Sequence, residues 1–216
     1  MRRPAVVLLL AAAIAHPQVA EKANSHYQTR EGRGNVARWL SAADRDKRQR
    51  PHELVAAMAV KPGMTVADLG TGIGYMLPFL SRAVGPSGHV IAQDIFPDFL
   101  EQAKRKAEGE KLGNVSFVQG TDRDPKLPER SADVVLALDA YHHFDYPAEM
   151  LAGIARSLRD GGRFVVVDFY KSKFDNPEHI RLEEPDVIKE IEANGFRLAE
   201  RRTHADQQYV LVFKAE

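Results

Sequence analysis

The sequence predicts a doubly wound α/β fold: a seven-stranded, mostly parallel sheet with helices on both faces and a C-terminal antiparallel hairpin. Three observations predict it. Five short apolar runs alternate with helical stretches between residues 65 and 169, the pattern of a parallel sheet whose crossovers are helices. A glycine-spaced turn, "GTGIG" from Gly70 to Gly74, follows the first run directly. Two further strand-like runs, "RLAERRTH" and "QYVLVFK", then close the chain behind a final helical segment.

Residues 1–20, "MRRPAVVLLLAAAIAHPQVA", carry Arg2 and Arg3, an apolar run from Ala5 to Ala15 and then small residues. That is the layout of a signal peptide, too short to span a bilayer comfortably as a permanent helix. It predicts a periplasmic or secreted protein with no stable membrane insertion once the signal is removed; a non-functional signal would leave it in the cytoplasm. Residues 21–50 are polar around Trp39 and Leu40 and read as an arm with one or two short helices. From Pro51, "PHELVAAMAV" has proline at a helix start and apolar residues at helical spacing, and "KPGM" stops it. Residues 51–216 make the principal domain.

Within that domain the expected strands are Thr65 to Leu69, Val90 to Gln93, Val115 to Gln119, Asp133 to Leu138 and Arg163 to Phe169. Helices are expected near Tyr75 to Val84, Asp98 to Glu108 with Asp98 as its N-cap, and Pro147 to Leu158 closed by "RDGG" as a C-cap. "PDVIKEIEANGF" reads as a last helix ending at Gly195.

Composition bounds the partners. With 216 residues, 44% of them hydrophobic, the chain suits one domain with a full core. Lys plus Arg (30) equals Asp plus Glu (30), so no net field recruits nucleic acid or an anionic membrane. The absence of cysteine excludes disulfides, thiolate metal sites and a cysteine nucleophile.

In such a sheet ligands bind outside the carboxyl ends of the strands, where the Gly70 turn sits. The spacing Gly70, Gly72, Gly74 is G-x-G-x-G; a dinucleotide fingerprint needs its third glycine where Tyr75 stands. A pyrophosphate site wants amides and no nearby anion, yet Asp68 precedes the first glycine by two residues. Further acids follow the next strands: Asp94, placed to accept from both ribose hydroxyls, Asp122, placed to accept from an adenine amino group, and Asp139. The ligand this favours is S-adenosylmethionine, cationic and without phosphate.

On these residues the chain resembles the class I S-adenosylmethionine-dependent methyltransferases, with their Rossmann-like fold, and among them the small-molecule branch related to ubiquinone and menaquinone C-methyltransferases. The resemblance rests on "VADLGTGIG", "VIAQDI", "VQGTDRDPKLP", "ADVVLALDAYHHF" and "LRDGGRFVVVDF". It implies cofactor contacts from Gly70, Thr71, Gly72, Gly74, Asp94, Ile95, Thr121, Asp122 and Asp139, with Asp68 organising the loop. Where the family carries an acid-alanine pair, this chain has Asp122-Arg123.

Methyl transfer from a sulfonium is an in-line displacement that depends on positioning, with a general base only where the acceptor must lose a proton. "DAYHHFDY" sets Tyr141, His142 and His143 beside the expected methyl group, as candidates to hold or deprotonate the acceptor. A catechol-type metal set would draw on Asp139, Asp168 and His142, but its usual third ligand is Phe169 here, so no metal is predicted. The arm from Tyr27 to Trp39 folds either as a lid or as a surface helix tied down by Trp39. The expected acceptor is a small molecule and the expected assembly a monomer or homodimer. Two rival functions remain at this level: an exported, non-catalytic domain that binds a small ligand, and a nicotinamide oxidoreductase, which Tyr75 disfavours.

Overall fold

The computed structural model describes residues 18–216, so most of the expected signal segment lies outside the described residues. Residues 21–57 form α1 (Glu21–Asn24), which runs into a 3-10 turn at Ser25–Tyr27, then α2 (Arg30–Leu40), α3 (Arg45–Gln49) and α4 (Pro51–Ala57). There follow β1 (Thr65–Leu69), α5 (Leu77–Val84), β2 (His89–Asp94), α6 (Pro97–Gly109), β3 (Val115–Gln119) and β4 (Ala132–Leu138). A 3-10 turn at Tyr141–His143, α7 (Pro147–Ser157), β5 (Leu158–Phe169), α8 (Glu184–Glu192), β6 (Phe196–His204) and β7 (Gln208–Ala215) complete the chain. The seven strands form one sheet in the order β3-β2-β1-β4-β5-β7-β6. β1 to β5 are parallel, and β7 runs antiparallel to both β5 and β6. The predicted fold is the observed one. No helix among the described residues is long and apolar enough to cross a membrane.

Alternation along the central strands explains why their apolar runs are unbroken. Val134 and Leu136 face one layer, with Leu54, Leu77, Leu80 and Ala103. Val135 and Ala137 face the other, with Leu151, Ile154, Val187 and Ile191. Both faces of the sheet are covered, so both strand parities must be apolar.

Four boundaries differ from expectation. α5 starts at Leu77 rather than Tyr75, because Gly72 and Gly74 take φ of 56° and 81° and hold the chain in a turn. "RDGG" lies inside β5 and caps nothing: Leu158, buried, turns extended (φ −72°, ψ 137°) and pairs with Ala132. α8 stops at Glu192, and Gly195 with φ 84° makes the turn into β6. Asp98 sits one residue inside α6, where its carboxylate accepts from Arg33 Nε at 2.9 Å instead of capping the helix.

Candidate active site

β1, β2 and β4 end side by side, and the cleft at their carboxyl ends is the topological switch of the sheet, since β1 continues to β2 on one side and pairs with β4 on the other. Gly70, Thr71 and Gly72 after β1, Asp94 at the end of β2 and Ile95 after it, Thr121 and Asp122 after β3, and Asp139 after β4 all line it. At Gly70 (φ 70°) a Cβ would stand 2.9 Å from the Ala140 Cβ, so only glycine lets the turn close against β4.

Asp94 organises this end. Its Oδ2 accepts the Gly72 N–H at 2.9 Å and its Oδ1 the Phe96 N–H at 2.9 Å. Burial pushes its carboxyl up to about 6 against those bonds. Asp68, beneath the turn, accepts from the Thr71 hydroxyl at 2.7 Å and is raised to about 6, again by burial. It does not line the cleft and serves the loop, as the resemblance implies. Asp139 holds a left-handed backbone (φ 52°), with its two oxygens accepting from Gln49 Nε2 and Gln208 Nε2, each at 2.5 Å. Burial and then the neighbouring Asp168 raise it to about 6.

Three expected site residues stand elsewhere. Gly74 does not line the cleft; a Cβ there would press on Leu77 and on Ala103 of α6, so it serves helix packing. Tyr141 is 1% exposed, turned into the core against Phe144 and Phe164, with its hydroxyl donating to Glu190 at 2.6 Å. That orientation removes it from the catalytic candidates. His142 is buried behind the wall, its backbone N–H and Nδ1 both donating to Asp168. Only His143 of the three lines the cleft; burial, with His142 and His179 alongside, holds its ring well below the ordinary imidazole range and therefore neutral. Asp139 and Asp168, the acids a catechol-type set would draw on, accept from Gln49 and Gln208 and from His142 respectively.

The arm crosses the same cleft. Tyr27 stacks on Phe96 at 5.8 Å and meets His143 edge-on at 4.7 Å, Leu40 lies over Gly72, and the Arg33–Asp98 pair ties α2 to α6. Trp39, by contrast, is 48% exposed, with the Arg48 guanidinium 5.3 Å from its ring centre. Arg45, which the polar arm sequence gave no reason to select, is 8% exposed, with its guanidinium 3.9 Å from the centre of the Tyr75 ring. Gln49, Gln93 and Asp145 escaped sequence reading too. Gln93 lines the cleft with its Oε1 accepting from Gly70 N–H at 3.3 Å.

Among the described residues, the cleft wall carries Asp94, Asp122, Asp139 and Asp145 against one permanent cation, Arg45. Asp145 Oδ1 is buried there without a hydrogen-bond partner among those residues. Such a wall fits a ligand rich in hydroxyl and amino donors and carrying positive charge, as S-adenosylmethionine is, and opposes a pyrophosphate.

Residues 67–166 match a family model described as a methyltransferase domain. The chain is 33% identical over 116 residues to the ubiquinone/menaquinone biosynthesis C-methyltransferase UbiE of Vibrio vulnificus, covering 53% of this chain and 45% of that protein. It is 29% identical over 133 residues to an arsenite methyltransferase of Halobacterium salinarum, covering 62% of this chain and 34% of that one. The chain thus spans at most about half the length of these curated relatives. Among solved structures, a SAM-dependent methyltransferase from Aquifex aeolicus superposes with a TM-score of 0.79 at 25% identity, covering 83% of this chain and 96% of that one. The [4+2]-cyclase SpnF superposes at 0.65 with 16% identity, covering 78% and 81%, a likeness of fold alone.

Proposed function

We propose that the chain is a class I S-adenosylmethionine-dependent methyltransferase that methylates a small-molecule acceptor by in-line displacement, a reading supported by the match of residues 67–166 to a methyltransferase domain and by the likeness to the Aquifex aeolicus structure. The observation that carries this reading is the acid-lined, cation-poor cleft at the Gly70 turn. When bound, S-adenosylmethionine would supply an electrophilic methyl carbon, with the demethylated thioether as the leaving group when the C–S bond breaks and the bond to the acceptor's nucleophilic atom forms.

The chain's own residues hold and orient. Asp94 would accept from the ribose hydroxyls with the lone pairs left beside its two backbone bonds. Gly70 and Gly72 would admit the methionine part close to the backbone, and Thr121 with Asp122, which also line the cleft, would hold the adenine end. Tyr27 and Leu40 line the cleft from the arm, where they would shield a bound ligand from water and strengthen its electrostatic contacts. His143 borders the cleft with its Nδ1 paired to Asn24 Oδ1.

The likeness to a C-methyltransferase of ubiquinone/menaquinone biosynthesis and to an arsenite methyltransferase supports a small acceptor. Export of the mature domain is part of the proposal and rests on the layout of residues 1–20; N-terminal sequencing of protein recovered from the cell envelope tests it. Methyl transfer is tested by incubating the protein with isotope-labelled S-adenosylmethionine and a panel of quinols, phenols, thiols and arsenite. Label in a small-molecule product supports the reading. Cofactor binding with no product across the panel favours a non-catalytic ligand-binding domain.

A further inference from the structure

Three imidazoles meet behind the cleft wall. The donor nitrogens of His142, His143 and His179 lie within 4.8 Å of one another, and the ring centres are 4.1, 5.0 and 5.2 Å apart. Two of the tautomers are fixed. His142 Nδ1 donates to Asp168 Oδ1 at 2.7 Å, since a carboxylate can only accept. The Asn24 amide donates to the His143 carbonyl at 3.0 Å, which leaves Asn24 Oδ1 to accept from His143 Nδ1 at 2.9 Å. The rings of His142 and His143 are therefore each left with an Nε2 lone pair. That of His142 is buried, in a residue only 4% exposed, and has no partner among the described residues. An unpartnered buried acceptor costs free energy.

We propose that His142, His143 and His179 form a three-imidazole site for one late first-row divalent cation, zinc foremost. Imidazole nitrogen suits zinc, copper, nickel or iron, whereas magnesium and calcium take oxygen donors. Asp168 and Asn24 stand where outer partners of ligand histidines belong, fixing ring orientation and tautomer. Asp168 is itself held by the backbone N–H groups of His142 at 3.1 Å and Phe169 at 2.9 Å. A tetrahedral zinc ion sets its donors about 3.3 Å apart, so the trio tightens on binding. His179, half-buried on the short 3-10 turn Pro177–His179, is the ring with room to move. Three protein ligands leave a fourth position for water or an anionic ligand.

The test needs no cofactor and so stands or falls apart from methyl transfer. Full-length protein stripped with a chelator is titrated with Co2+, followed by its visible absorption, and with Zn2+ in competition with a chromophoric chelator. One saturable equivalent is expected, with the intense absorption of four-coordinate cobalt. His179→Ala, on an exposed turn, should weaken binding roughly a hundredfold, and Asp168→Asn, which acts on ring orientation, about 10-fold or more. His52→Ala, a remote exposed histidine, should change nothing. No saturable binding by folded wild-type protein, or equal affinity in wild type and His179→Ala, would overturn the site.

Discussion

Asp94 at the end of β2 accepts the backbone N–H of Gly72 at 2.9 Å, so one buried carboxylate fastens the glycine turn to the neighbouring strand. Its other oxygen holds Phe96 at the mouth of α6. The residue that sequence reading assigns to the cofactor is thus also the one that shapes the loop. Asp68 and Asp139 share its character, each buried and each raised to about 6.

The raised acids set a pH dependence. Asp68 moves from 3.8 to about 6 because burial penalises its charge, so the folded protein holds this proton more tightly than the unfolded chain. The stabilisation it contributes is full at pH values below about 4 and lost as pH rises towards about 6. Asp68→Asn removes that term while keeping an acceptor for Thr71. Melting temperatures of variant and wild type, compared across this range, should shift steadily in the variant's favour as pH rises and then hold a constant difference. Parallel curves would contradict the assignment.

Gly74→Ala should destabilise the protein by about 1–3 kcal/mol through its left-handed backbone and its crowding of Leu77 and Ala103. Cofactor affinity of the protein that remains folded should be unaltered, because Gly74 does not line the cleft. Denaturant melts and calorimetry separate the two effects.

Tyr141→Phe deletes the hydrogen bond to Glu190 but leaves Arg181 holding that carboxylate. A cost of about 1 kcal/mol in stability is expected, with methyl-transfer rate unchanged. A rate loss of orders of magnitude would return Tyr141 to the catalytic set.

Tyr27→Ala removes the aromatic contacts that seat the arm on Phe96 and His143. Contacts of this kind contribute about 0.5–1.5 kcal/mol each, so cofactor affinity should fall about tenfold and amide exchange in α2 should quicken. Tyr27→Phe, which keeps the ring, should behave as wild type.

The sheet and its glycine loop were legible because they rest on local signals: short unbroken apolar runs buried on both faces, and glycines where the backbone needs φ above zero. The C-terminal limits of α7 and α8 were misread because "RDGG" and Gly195 serve turns on either side of a strand start, and local composition does not distinguish that from a helix cap. Arg45 and Gln49 were invisible for another reason. They lie in a polar run with no periodicity, and only the return of the arm across β4 brings them to Asp139. The reverse error befell Tyr141, a polar aromatic at the right strand end whose ring the 3-10 turn directs into the core. His179 comes from a loop whose contact with the His142-His143 pair depends wholly on tertiary folding.

The most direct test is calorimetric titration of the protein with S-adenosylmethionine and its demethylated product, repeated on Asp94→Ala. Saturable binding of both by wild type is expected, weakened in the variant by about 2 kcal/mol or more for the lost charged acceptor. A folded wild-type protein that binds neither, or a variant that binds as tightly as wild type, would contradict the assignment of the Gly70 cleft as the cofactor site.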